Sequence, residues 1–225
     1  MTNLILNIDT SAGTASVSLS SNGMCLGTVS NPDQREHASF LQPAIQKLLQ
    51  SRNIELQNLD AVSVVNGPGS YTGLRVGLAS AKGICYALNL PLITINTLTL
   101  MARAAAMEQI KTSHLLPLLC PMIDARRMEV FAAVYDGNLN ELSFPQAMIL
   151  DEKSFVEFLL QKKMLFFGDG AFKMKSITNS SNALFASVYD TCDALCAMSY
   201  DYFLKEKFAN LAYAEPFYLK DFFNK

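Results

Sequence analysis

The strongest constraint on this chain is an order of elements that occurs twice. Residues 4–8 (LILNI) form a short apolar run, after which Ala15, Val17 and Leu19 alternate with Ser16, Ser18 and Ser20, the period of a half-buried strand. SNG at 21–23 predicts a turn, and a third strand follows near 25–29. Phe40, Leu41, Ala44, Ile45, Leu48 and Leu49 then share one helical face, with Pro43 either kinking that helix or starting its regular part. A buried strand (AVSVV, 61–65), a glycine-rich loop, a helix to about Leu88, a strand (PLITI, 91–95) and a helix near 98–107 complete the first half.

The second half repeats this in weaker form. LLPLLCPMID leads into ARR, MEVFAAVY alternates, a strand near AMIL follows, and SFVEFLLQKK is amphipathic. MLFFGDG then reads as a strand ending in a tight turn, with helices expected near 192–206 and at the C-terminus. The pattern predicts two related α/β lobes, 1–105 and 106–225, each with a sheet and flanking helices. The C-terminal segment is free to pack back on the first lobe.

With half of its 225 residues apolar and 17% charged, the chain can bury a sizeable core. A net charge of −2 offers no overall field for a phosphate backbone, so any contact with nucleic acid is expected to run through a partner. MTNLILNIDT has no basic lead and meets Asp9 after a few apolar residues, the pattern of neither a signal peptide nor a membrane span. The expectation is a cytoplasmic protein with no membrane association.

The repeat aligns Asp9, in NIDTSAGTASVSL, with Asp124, in MIDARRMEVFAAVY. In a two-lobed nucleotide-binding protein, paired turns of this kind face each other across a cleft and hold phosphate and magnesium. Thr10, Ser11 and Gly13 offer hydroxyls and room for such a use. Ala125, Arg126 and Arg127 crowd the second turn, although arginines there could pair with an anion through their side chains. The competing reading is a capped hairpin and a solvated turn. Asp9, Thr10, Ser11, Asp124 and Arg126 are therefore candidates for a vestigial phosphate site, with no catalytic residue and no metal ligand assigned.

NGPGSYTGLRVG (66–77) raises the phosphate question again, but Gly73 is followed by Leu74, so the Walker lysine and hydroxyl are missing. The dinucleotide spacing also fails by one residue, and the next strand ends in Asn96 where an acid would hold a ribose. Ser70 or Thr72 is placed to cap the following helix, on which Gly73, Gly77 and Ala81 recur every four residues as a close-approach track. Leu74, Val76, Leu78, Ile84, Cys85 and Leu88 cover most of the remainder, while Arg75, Ala79, Lys82 and Tyr86 form the charged stripe. From Ala61 to Met107 there is no Asp or Glu. Such a helix either docks on another protein or is covered by its own sheet and neighbour.

These stretches, with REHASFLQPAIQKLL and FFGDGA, resemble the TsaB family of bacterial accessory proteins of tRNA threonylcarbamoyladenosine synthesis. The match is densest over 4–105 and vague in the last fifty residues. The resemblance implies two ribonuclease-H-like lobes of the actin, Hsp70 and sugar-kinase superfamily. It also implies a heterodimer with TsaD, the paralogue that transfers the threonylcarbamoyl group to the adenosine adjacent to the anticodon, and an ATPase, TsaE, in a larger complex. ATP and metal would then be held by those partners, leaving this chain without a cofactor. The helices after His37 and Gly69 become the expected interface, carried by His37, Leu41, Ile45, Leu48, Gly69, Tyr71, Thr72, Gly73, Leu74, Gly77, Leu78 and Ala81. The same helices would allow a homodimer when TsaD is absent.

The catalytic relatives bind metal through HxxxH on the first helix, whereas here Leu41 stands four residues after His37, and His114 is far along the chain. A lone His37 reads as a surface or capping residue. Five cysteines, without CxxC, read as reduced thiols; Cys192 and Cys196 are one helical turn apart, but zinc would need ligands from elsewhere, and two small core residues is the simpler reading. An independent ATPase or small-molecule kinase using Asp9 and Asp124, and a metallopeptidase, are the alternative functions.

Overall fold

The computed structural model describes residues 2–112 and 117–220, with residues 110–112 described by backbone alone. His114 and the end of the YLKDFF tail lie outside these residues. In chain order the elements are β1 (Leu4–Asp9), β2 (Ala15–Ser21), β3 (Met24–Asn31), α1 (His37–Ser51), β4 (Ala61–Gly67), α2 (Tyr71–Leu88), β5 (Leu92–Asn96) and α3 (Thr97–Thr112). They continue with β6 (Leu118–Asp124), β7 (Glu129–Tyr135), β8 (Glu141–Ile149), α4 (Val156–Gln161), β9 (Met164–Phe167), α5 (Ala171–Ile177), β10 (Ala183–Phe185) and α6 (Cys192–Leu204).

The first unit comprises Met1–Thr97 with Cys192–Phe217, and its sheet runs β3-β2-β1-β4-β5. The two hairpins are antiparallel, with Leu6 opposite Leu19, while β4 joins β1 in parallel, with Leu6 opposite Val62, and β5 joins β4 in parallel. The second unit, Leu98–Thr191 with Tyr218–Lys225, has the order β8-β7-β6-β9-β10, which is the first sheet over again. Each lobe has the ribonuclease-H-like arrangement of three antiparallel strands followed by parallel ones.

Period-two patterning sends Leu6, Ile8, Val17, Leu19, Val62 and Val64 to one face, where they meet Leu41, Ile45, Leu48, Leu78, Ala81 and Cys85 of α1 and α2. Pro43 lies inside α1 at an exposed position, and the helix runs through it from His37. The opposite face holds Asn7, Ser18, Ser20 and Ser63, all buried. The serine alternation predicts a solvated face there; instead α6 lies over it. Small side chains let a helix approach closely, and the Asn7 amide joins them: Asn7 Nδ2 donates to Ser20 Oγ at 3.1 Å.

The lobe boundary falls at Thr97/Leu98, not after residue 105. The reason is packing: Leu98, Ala102, Ala105 and Ala106 of α3 are buried with Leu119, Ala133, Tyr135, Leu165 and Phe167. In the second unit, α4 and α5 cover the other face through Leu159, Ala171 and Met174. Each half of the chain therefore ends in a helix that covers the sheet of the other half.

No helix follows α6 among the described residues. Asn210 accepts from the backbone N–H groups of Ala212 and Tyr213, making a turn, and Pro216 has no N–H to give a helix. The segment instead runs along the first unit, where the Ala209 N–H donates to Leu92 O (2.8 Å) and the Phe217 N–H to Asn66 O (2.7 Å).

Candidate functional site

The glycine loop is a strand-to-helix turn fitted against the β1–β2 turn. The Ser70 N–H donates to Ser11 O at 2.7 Å, and a Cβ at Gly69 would collide with that carbonyl. One turn later a Cβ at Gly73 would meet Thr10 O, and one at Gly77 would meet Thr10 Oγ1, whose hydroxyl donates to Gly73 O at 2.7 Å. At Gly69 and Gly73 glycine is required because two backbones touch, and at Gly77 because the Thr10 side chain fills the space. Ser70 caps α2 by accepting from the Gly73 N–H.

These contacts favour the second of the two readings of the small-residue track, and they bury most of the interface set that the resemblance implies. Gly73, Gly77 and Ala81 form a close-approach track, but the surface that approaches is the chain's own sheet. His37, Leu41, Ile45, Leu48, Leu74, Leu78 and Ala81 are all at most 4% exposed and cannot present a surface in the folded chain. His37 is not a surface residue: its Nε2 lies 3.2 Å from Gly13 O, and its ring backs on Gly73. Of the expected interface set, Tyr71 and Thr72 are exposed and Gly69 is half-buried. The outward residues of the two helices include Ala38, Gln42, Pro43 and Gln46 on α1 and Thr72, Arg75, Ala79 and Gly83 on α2. Gln42 Nε2 donates to Ser80 Oγ at 3.2 Å, linking the helices, and Gly83 has open space where a Cβ would stand. The charged stripe is partly engaged, since the Arg75 guanidinium sits 3.8 Å from the Tyr71 ring centroid and Lys82 Nζ donates to Ala212 O and Ala214 O.

Asp9 is 8% exposed and accepts from the Ser11 N–H (2.9 Å) and Ser11 hydroxyl (2.7 Å). Burial pushes its carboxyl above the ordinary value, with the Ser11 hydrogen bonds opposing. Asp124 is held differently. Lys173, 5% exposed on α5, places Nζ 2.7 Å from Asp124 Oδ1 and 2.8 Å from Glu129 O, and that hydrogen bond, then the Arg126 N–H, lowers the Asp124 pKa. Asp124's own N–H donates to Asp169 Oδ1. Arg126 and Arg127 have φ of 70° and 49°, the left-handed region, and both side chains are exposed. A lysine thus occupies the carboxylate that a magnesium ion would need. The sequence pattern did not reveal this lysine, which lies 49 residues from its aspartate.

A second cluster adds Cys25, which the spacing did not bring in, to the Cys192 and Cys196 pair. Cys25 of β3 brings its Sγ to 3.7 Å from Cys192 Sγ at the start of α6, and the ligand atoms of Cys25, Cys192 and Cys196 lie within 4.8 Å of one another. The hydrogen bond from the Cys196 side chain, outweighing burial, draws the Cys192 thiol down to about 6, and the same contact pushes Cys196 up.

Comparison with known proteins places this arrangement. The chain matches the family described as TsaD, tRNA N6-adenosine threonylcarbamoyltransferase, over residues 24–219. It is 30% identical over 169 residues to the tRNA threonylcarbamoyladenosine biosynthesis protein TsaB of Bacillus subtilis (strain 168), covering 73% of this chain and 70% of that protein. The chain belongs to the TsaB branch of the TsaD family. TsaB of Escherichia coli (strain K12) is 34% identical over 139 residues, covering 60% of this chain and 56% of that one. In structure, a crystallised protein with similarity to peptidase YeaZ from Pseudomonas aeruginosa superposes with a TM-score of 0.82 at 24% identity, over 97% of this chain and all of that one. That likeness shows the fold. Among the described residues, no helix is long and apolar enough to cross a membrane.

Proposed function

We propose that this TsaB-family chain is a non-catalytic subunit of tRNA threonylcarbamoyladenosine synthesis. It binds TsaD and is needed for threonylcarbamoylation of the adenosine adjacent to the anticodon, in tRNAs that read codons beginning with adenine. The observation that carries the reading is Leu41. Where the catalytic relatives carry the second histidine of HxxxH, this chain has a leucine, fully buried against the sheet with Ile45 and Leu48. A metal ligand cannot be recovered there without dismantling the core. The Asp124–Lys173 pair supports the same reading, because it neutralises the carboxylate that an ATPase or kinase would use.

TsaD would dock on the outward face of α1 and α2, with Thr72, Ala79 and Gly83 allowing a close approach between helices. TsaE, ATP, metal and tRNA are assigned to the larger complex, and a homodimer through the same face is the arrangement open to the chain when TsaD is absent. The test is co-purification with TsaD from the same cell, together with modification of tRNA by the reconstituted set. Gly83→Arg should leave the fold intact, since nothing stands within 4 Å of its Cβ position, and should abolish both pairing and modification. Undiminished pairing by a folded Gly83→Arg protein would exclude this face. Turnover by the isolated chain would exclude the non-catalytic reading.

A further inference from the structure

We propose that Cys25, Cys192 and Cys196 form a three-thiolate site for a soft, closed-shell metal ion, with Zn²⁺ the best match. Tetrahedral zinc with bonds of about 2.3 Å to thiolate sulfur sets its sulfurs about 3.8 Å apart. The Cys25 and Cys192 sulfurs are 3.7 Å apart, and all three fall within 4.8 Å, so one ion at the centre needs little movement. A disulfide would require the Cys25 and Cys192 sulfurs to close to about 2.05 Å and would leave Cys196 out.

The surroundings suit a thiolate cluster. Thr28 Oγ1 lies 2.9 Å from Cys192 Sγ and 3.4 Å from Cys25 Sγ, Ser18 Oγ is 3.6 Å from Cys196 Sγ, and Asn7 Nδ2 donates to Cys196 Sγ at 3.7 Å. These groups would donate to the sulfurs and fix their direction, as an outer shell does around ligating residues. Three thiolates and Zn²⁺ carry a net charge of −1. Cys192 begins the 13-residue α6, where the helix dipole favours negative charge. The fourth position is left to water.

The ion would clamp β3 to α6 and so tie the returning segment to the first unit, across 167 residues of sequence. Closing so long a loop stabilises the folded chain more than a local contact does. The full-length reduced chain, stripped with chelator, should take up one Zn²⁺ tightly in titration calorimetry with a non-thiol reductant present. Co²⁺ in its place should give the thiolate-to-metal charge-transfer band, and Zn²⁺ should raise the melting temperature. Cys25→Ser, at a half-exposed position, should weaken binding by about 100-fold, and Cys192→Ser should weaken the cobalt band, since each thiolate contributes to it. Failure of the reduced chain to bind Zn²⁺, or equal binding by a folded Cys25→Ser protein, overturns the site. Recovery of a Cys25–Cys192 disulfide in a chain that takes no metal when reduced would do so in favour of a redox pair.

Discussion

Asp9 and Asp124 hold the same place in their two sheets, yet their surroundings push them in opposite directions. Asp9 is buried with hydroxyl and amide partners, and its pKa is raised, so its contribution to stability is present below the ordinary carboxylate pKa and is lost as pH rises through the folded value. Asp9→Asn keeps an acceptor for Ser11 and removes this decline. Its stability at pH 7, measured by denaturant unfolding, should fall within about 0.5 kcal/mol of the parent or above it. Asp124 has a lowered pKa, so its contribution is present above the ordinary carboxylate value and is lost as pH falls through the folded one. Asp124→Asn leaves the Lys173 ammonium buried beside neutral acceptors, but Asp124 is 36% exposed and solvent screens the pair, so the cost at pH 7 should be about 1 kcal/mol, with a flatter acid limb. Equal behaviour of the two variants would contradict the assignment. The sequence aligned these aspartates correctly, but it could not rank them, because Lys173 reaches its partner through the fold and carries no local signal.

At the scale of elements, α2 separates what a period can say from what it cannot. The spacing of Gly73, Gly77 and Ala81 identifies one face and a close contact. Whether a partner or the chain's own β1 makes that contact depends on the sheet, which no local spacing encodes. The serines of β2 failed for a related reason: alternation separates two faces, and only α6, from the far end of the chain, shows that both are covered. Strand positions were easier to read, since each apolar run is bounded by turn residues. Two glycines on one helix test the packing. Gly77→Ala should cost about 1–3 kcal/mol, because its Cβ meets Thr10 Oγ1. Gly83→Ala faces open space and should gain about 0.5–1 kcal/mol from reduced backbone freedom in the unfolded chain. Both follow from thermal or denaturant melts, and a neutral Gly77→Ala would mean that α2 sits further from β1.

For the whole molecule, the duplicated sheets were legible from the order of elements, but the exchange of closing helices was not. A helix at the end of the first half is most simply assigned to the first lobe, and only the packing of Leu98, Ala102 and Ala105 with Leu119 and Tyr135 moves it. The reverse exchange has a measurable consequence. The face of the first sheet under α6 combines the polar Asn7, Ser18, Ser20 and Ser63 with Ile5, Val65, Ile93 and Ile95, all buried. Ending the chain after Thr191 would remove Ala194, Leu195, Cys196 and Met198 from that face and leave its hydrogen-bond network to water. Amide exchange in β1, β4 and β5 should then quicken sharply, while β6 and β7, which keep α3, α4 and α5, should stay protected. A peptide of residues 192–217 supplied in trans should slow exchange in the first sheet again. Unchanged protection of β1 in the shortened chain would show that the first unit closes without its returning segment.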